Sequence, residues 1–150
     1  MAKAKLKLHR PTGTVTKRDV TKRWTKKLAK GGWTPVVQVF LEHYASLSPP
    51  ITTPEAMLII QLMSFKWDEE MPWPAFKTLA KRMGISPTAV RNHARSLDTG
   101  KKYLVRHKRV GQPNLFDLTP LFAALEKAQA ASESRKKKEG RRIRATGVAS

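Results

Sequence analysis

The 150 residues contain no cysteine. Disulfides, thiolate zinc sites and cysteine nucleophiles are excluded on that ground. Long apolar runs are missing as well. None exceeds five residues, the length of Ala56 to Ile60, whereas a bilayer-spanning helix needs about 20. The start, MAKAKLKLHR, has charge but no apolar stretch behind it, so no secretory signal is expected there. Acidic residues are scarce, 11 against 30 Lys+Arg. Catalytic signatures are missing too. There is no glycine-rich phosphate loop, no HExxH and no serine nucleophile elbow. His9, His43, His93 and His107 are scattered without metal-ligand spacing. Glu42 and His43 are adjacent on an expected helix, and neighbours diverge there by about 100°. No enzymatic activity, metal, cofactor or small-molecule ligand is therefore expected.

What is present is positive charge, unevenly placed. The formal net charge is +19. Residues 1–30 carry +10, residues 135–144 carry +6, and the long middle only +3. A nearly balanced core between two cationic arms suits a polyanionic partner. Neither arm has the large apolar face of an interfacial helix, so a membrane surface is not the expected partner. Residues 1–32 read as a basic arm with too little apolar surface to order by themselves. Trp24 and Leu28 are exceptions, compatible with a short basic helix from Asp19 to Lys30, before Gly31-Gly32. Residues 132–150 read as a second basic, disordered tail.

Residues 33–131 read as the folded domain. Thr34-Pro35 is a cap-and-proline start for a helix carrying Val36, Val37, Phe40, Leu41, Tyr44 and Leu47, ending near Ser48-Pro49-Pro50. Thr53-Pro54-Glu55 repeats that signal. It opens a helix to about Lys66 that is apolar almost all round and is expected to be central. Trp67, Met71 and Trp73 are expected at the core's edge, and Asp68-Glu69-Glu70 in a solvated loop. Met71 to Trp73 reads as a short first strand.

From Phe76 to Leu97 the chain reads as two helices with a tight corner. Leu79, Ala80 and Met83 recur at helical spacing, and Gly84 suits the left-handed turn after a helix end. Ser86 is an N-cap and Pro87 fits the first helical position. Val90, Ala94 and Leu97 share one face, with Ile85 plugging the corner. Thr88, Arg91, Asn92 and Arg95 fall on the other face. His93 reads as a partly buried packing residue. A helix with such a polar, basic face can lie in a DNA major groove, where Arg reads guanine and Asn reads adenine.

Asp98-Thr99-Gly100 then reads as a turn. YLVRHKRV over Tyr103–Val110 reads as a strand, with Leu104, Arg106 and Lys108 on one face and Val105, His107 and Arg109 on the other. Gly111-Gln112-Pro113 is the expected tip, and Asn114 to Leu118 the return strand. A hairpin directly after a recognition helix is a wing. Thr119-Pro120 starts a last helix with Leu121, Phe122, Leu125 and Ala128. The fold class is therefore mainly α with a small β-hairpin, a winged helix-turn-helix core with basic tails.

Residues 51–125 resemble the winged helix-turn-helix domain of phage and plasmid replication initiators, or replisome organisers, and related helix-turn-helix proteins of mobile elements. The resemblance is carried by Thr53-Pro54-Glu55, Trp67, Trp73-Pro74, Lys77-Thr78-Leu79-Ala80, Gly84-Ile85-Ser86, Thr88, Val90, Arg91 and Leu97. The run Asn114-Leu115-Phe116-Asp117-Leu118-Thr119-Pro120-Leu121 continues it. It implies sequence-specific binding of double-stranded DNA, as a transcription regulator or replication initiator.

The residues then take roles. Arg91, Asn92 and Arg95 are expected at base edges, and Lys77, Lys81, Ser86 and Thr88 on the DNA backbone. Arg106, Lys108 and Arg109 are expected on the wing, near phosphates or the minor groove. The expected location is cytoplasmic, on the nucleoid, and a second copy is a further expected partner. Two alternatives share the charge pattern: a nucleoid-like or RNA- and ribosome-associated basic protein, and an adaptor docking through the helices over 35–47 and 120–131.

Overall fold

The computed structural model of the chain describes residues 19–147. The expected disorder of the arm over 1–18 lies outside the described residues. Two compact units divide after Trp33.

In the first unit the expected helix from Asp19 to Lys30 is two separate turns. A 3₁₀ turn spans Val20–Arg23 and α1 spans Lys26–Lys30. The break lies at Trp24 and Thr25, whose backbones are extended, and Thr25 recaps the chain by accepting from the Leu28 N–H at 3.2 Å. The Trp24 and Trp33 rings stack with centroids 6.3 Å apart.

The second unit holds α2 (Gln38–His43), α3 (Thr53–Met63), α4 (Phe76–Met83) and α5 (Pro87–Arg95). The hairpin strands β1 (Val105–Arg109) and β2 (Gln112–Asp117) and the long α6 (Thr119–Ala145) follow. Its core is one apolar cluster. Leu58 and Leu62 of α3, Leu79 of α4, Val90 and Ala94 of α5, and Leu121 of α6 are fully buried. Each such aliphatic side chain contributes about 1.5–3 kcal/mol by leaving water, Ala94 less. α4 and α5 pack on α3, and α2 packs on α6. The hairpin closes the other end through Phe116, whose ring meets Phe76 of α4 edge-on at 6.0 Å.

Two helix starts are shifted from their expected places. α2 begins at Gln38, not after Thr34, because Val36-Val37 stay extended. Gln38 then reaches Glu42 one turn on, at 3.1 Å. α3 is capped by Thr52, one residue before the expected Thr53. Thr52 Oγ1 accepts from the Glu55 N–H, and the Glu55 carboxylate accepts from the Thr52 N–H at 3.0 Å. The two orphan donors are satisfied reciprocally.

Three expectations differ more. Met71–Trp73 forms no strand. It contributes one bond to β2, from the Phe116 N–H to the Pro72 carbonyl at 2.9 Å. Pro72 and Pro74 lack N–H donors, so no ladder can grow there. Trp67 and Trp73 do not add to the core; they are 75% and 59% exposed. The last helix does not stop near Ala131 before a disordered tail, but continues to Ala145. The reason is compositional: Ser132 to Ala145 holds no proline and is mostly Lys, Arg, Glu and Ala, strong helix formers. Glu133 and Lys137 stand in the favourable i,i+4 order. Nearly all side chains from Glu133 onward are solvent-exposed.

Candidate nucleic-acid interface

The corner between α4 and α5 is built by three local devices. Gly84 adopts φ 67° and ψ 31°, a left-handed conformation that costs a side-chain-bearing residue strain. The Ile85 N–H then reaches back to the Ala80 carbonyl at 3.1 Å, satisfying an orphan acceptor of α4. Ser86 Oγ accepts from the Ala89 N–H at 3.1 Å, with Pro87 at the first position of α5. The rigid corner fixes α5 against α3 through Val90, Ala94 and Leu97, all fully buried.

The same rotation presents the opposite face. Thr88, Arg91, Asn92 and Arg95 are all exposed, at spacing i, i+3, i+4 and i+7. They form one stripe. The Arg91 guanidinium lies 5.6 Å from the centre of the Phe76 ring, a cation–π contact that restrains a side chain that is otherwise exposed. Ser86 uses its oxygen as a cap acceptor, and its O–H remains a donor near the positive end of the α5 dipole. Lys77 and Lys81 are exposed one turn apart on α4. His93 is half-buried, as its packing reading expects.

The hairpin treats its three cations differently. Arg106 does not project: its side chain is 11% exposed and its Nε donates to Asp98 Oδ2 at 2.9 Å. Arg109 is half-buried. Its Nε donates to the Pro113 carbonyl at 2.9 Å, and its guanidinium stands 6.0 Å from the centre of the Trp73 ring. Lys108 is exposed. The expected alternation fails because Asp98 holds Arg106 and the Pro113 carbonyl holds Arg109, and the pairing register shifts between His107 and Arg109, where β2 carries one extra residue. The tip is Val110-Gly111, with Gly111 at φ 68°, and Gln112-Pro113 already belong to β2.

One buried ion pair was not foreseen. Lys101, which follows the π-helical turn Ser96–Gly100 at the end of α5, pairs with Glu55 in the first turn of α3. Glu55 is 2% exposed. Burial opposes its charge, but Lys101, both Thr52 donors and Ser96 outweigh burial and hold the carboxyl down at about 2. The pair fastens the C-terminal end of α5 to α3. Thr119 holds Asp117 below the usual carboxylate range through its hydroxyl and N–H, fixing the step from β2 into α6. Burial pushes the Tyr103 hydroxyl up, and it donates to the Pro49 carbonyl at 2.6 Å. The signal for the Glu55–Lys101 pair lay in neither neighbourhood, since 46 positions separate the residues.

Among the described residues no group of three or more His or acidic side chains is placed to hold a metal ion. No described helix is long and apolar enough to cross a membrane.

Residues 51–99 match a family model described as a helix-turn-helix domain. The match runs from the residue before the α3 cap to the turn after α5. No curated protein and no solved structure matches the chain. The match supports a helix-turn-helix DNA-binding domain in α3–α5. With the antiparallel hairpin behind it, the fold is a winged helix-turn-helix.

Proposed function

We propose that this chain is a sequence-specific double-stranded-DNA-binding protein, serving as a transcription regulator or replication initiator of a prokaryotic or mobile-element replicon, on the nucleoid. The observation that carries the reading is the exposed stripe of Thr88, Arg91, Asn92 and Arg95 on a helix held by a capped, glycine-turned corner. In this reading α5 enters the major groove. Arg91 and Arg95 offer paired donors to guanine, and Asn92 offers a donor–acceptor pair to adenine. Thr88, Ser86, Lys77 and Lys81 face phosphates beside it. Lys108, with Arg109 behind it, reaches the flanking backbone. Arg106 drops out of the contact set because Asp98 holds it. The basic arms add affinity without choosing sequence.

Selection of bound duplexes from a random pool gives the site. On that site Arg91→Ala and Arg95→Ala each lose roughly 1–3 kcal/mol of preference over random DNA. Equal weakening on both DNAs would demote the two arginines to phosphate contacts. Tighter binding of duplex RNA or single strands at the same salt would favour the RNA-associated alternative.

A further inference from the structure

The surface of the second unit carries two features of opposite chemistry that the DNA reading leaves unused. The first is a groove of about 560 Å³ between the end of α2 and α6. Leu47, Ala124 and Ala128 give it an apolar floor, while Lys102, Lys127 and Arg135 stand along it, and no acidic residue lines it. These three cations are exposed, and none has an ion-pair partner among the described residues. The second is the loop Trp67-Asp68-Glu69-Glu70-Met71. It is the one acidic cluster of the sequence, and it begins with a tryptophan 75% exposed. The loop is not loose. Lys66 Nζ donates to the Asp68 and Glu70 carbonyls at 2.7 and 2.9 Å, and Asp68 Oδ1 accepts from the Glu70 N–H at 2.8 Å. The acids themselves have no ion-pair partner among the described residues.

An exposed large aromatic beside unpaired carboxylates complements an apolar floor beside unpaired cations. Within one chain the two cannot meet. The loop lies beside Thr119 and Phe122 of α6, through Lys66, Glu69 and Met71. The groove uses Pro120 and Ala124 of the same helix. Two residues are about 200° apart around a helix axis, so Phe122 points away from both. Loop and groove therefore occupy opposite sides of α6.

We propose that the acidic loop of one copy docks in the cationic groove of a second copy, with Trp67 on the apolar floor and Glu69 and Glu70 against Lys127 and Arg135. Because donor and acceptor surfaces differ, the contact is heterologous. Each copy keeps one free loop and one free groove, so the assembly is head-to-tail and open-ended. The proposal does not rest on DNA binding, and its cross-linking and mass readouts use the protein alone.

The natural absence of cysteine makes the contact directly readable. Glu69→Cys and Lys127→Cys introduced together are expected to give a disulfide ladder of dimers, trimers and higher species under mild oxidation. Each single variant gives dimers at most. In sedimentation without oxidant, the wild-type mass rises with concentration. Glu69→Lys/Glu70→Lys and Lys127→Glu/Arg135→Glu are each expected to stay monomeric. An equimolar mixture of the two regains mass, because each reversed surface again meets its opposite. Melting temperatures close to wild type show that these exposed changes leave the fold intact. Absence of a ladder, a product that stops at a closed dimer, or a mixture that stays monomeric would overturn the proposal. So would a groove reversal that lowers DNA affinity without changing mass, since the groove would then hold phosphates.

Discussion

The cations of α5 and those after it differ in what holds them. Arg91 and Arg95 have no ion-pair partner among the described residues and stand in solvent. Lys101 and Arg106, a few residues on, are each paired with a carboxylate of another segment. The first pair is available to a ligand; the second fastens the helix-turn-helix to its surroundings. This contrast means that positive charge in this region is not one resource. Counting it as a single DNA-facing patch would assign a binding role to side chains that hold the domain together. It also separates two measurable quantities: anchored cations should register in stability, and free cations in binding.

The largest expected effect is on the anchored side. Glu55→Gln keeps the shape of the side chain and removes its charge. The folded carboxyl titrates at about 2 against an ordinary 4.5. Its folded value is the lower one, so its stabilisation is fully present above pH 4.5 and is lost as pH falls toward 2. The gap corresponds to about 3 kcal/mol at neutral pH. Denaturant unfolding should show that loss for Glu55→Gln at pH 7. The difference from wild type should shrink steadily between pH 4.5 and 2. A difference that stays constant across that range would mean that Lys101 does not hold the charge.

Next in size is the contrast between two arginines. Arg106→Ala leaves Asp98 without its partner at a site where both side chains are mostly buried. A cost of about 2 kcal/mol is expected, below that of a fully buried pair. Arg95→Ala removes an exposed side chain and should stay within about 0.5 kcal/mol of wild type. The two variants therefore exchange rank between assays, since Arg95→Ala should be the worse binder. If both lose stability equally, the division between anchored and free cations is wrong.

How legible this was depends on sequence distance. The corner at Gly84, the cap at Ser86 and the buried face of Val90, Ala94 and Leu97 are all local, fixed by residues within one or two turns, and they stand as expected. The stripe Thr88–Arg91–Asn92–Arg95 follows from the same periodicity. What was not legible needs distant partners. Arg106 looks like any wing cation until Asp98 is brought to it, and Trp73 looks like core until the two prolines around it prevent a third strand. The extent of α6 was misread for a different reason. Charge density argued for disorder, yet Lys, Arg and Glu are also good helix formers, and the helix begins from a packed segment at Leu121 and Leu125.

The smallest expected effect sharpens the comparison within the hairpin itself. Lys108 and Arg106 lie two residues apart on β1, yet only Lys108 is exposed. If Lys108 meets a phosphate, Lys108→Ala removes one counterion-releasing contact, and the slope of log affinity against log salt should flatten by about 0.9. The weakening should be nearly uniform across specific and random duplexes, because a phosphate carries no sequence. Arg106→Ala, measured where the variant is fully folded, should leave that slope unchanged, since its guanidinium faces Asp98. A matching drop in slope for Arg106→Ala would require the Asp98 pair to open on DNA, making the hairpin a moving contact instead of a fixed one.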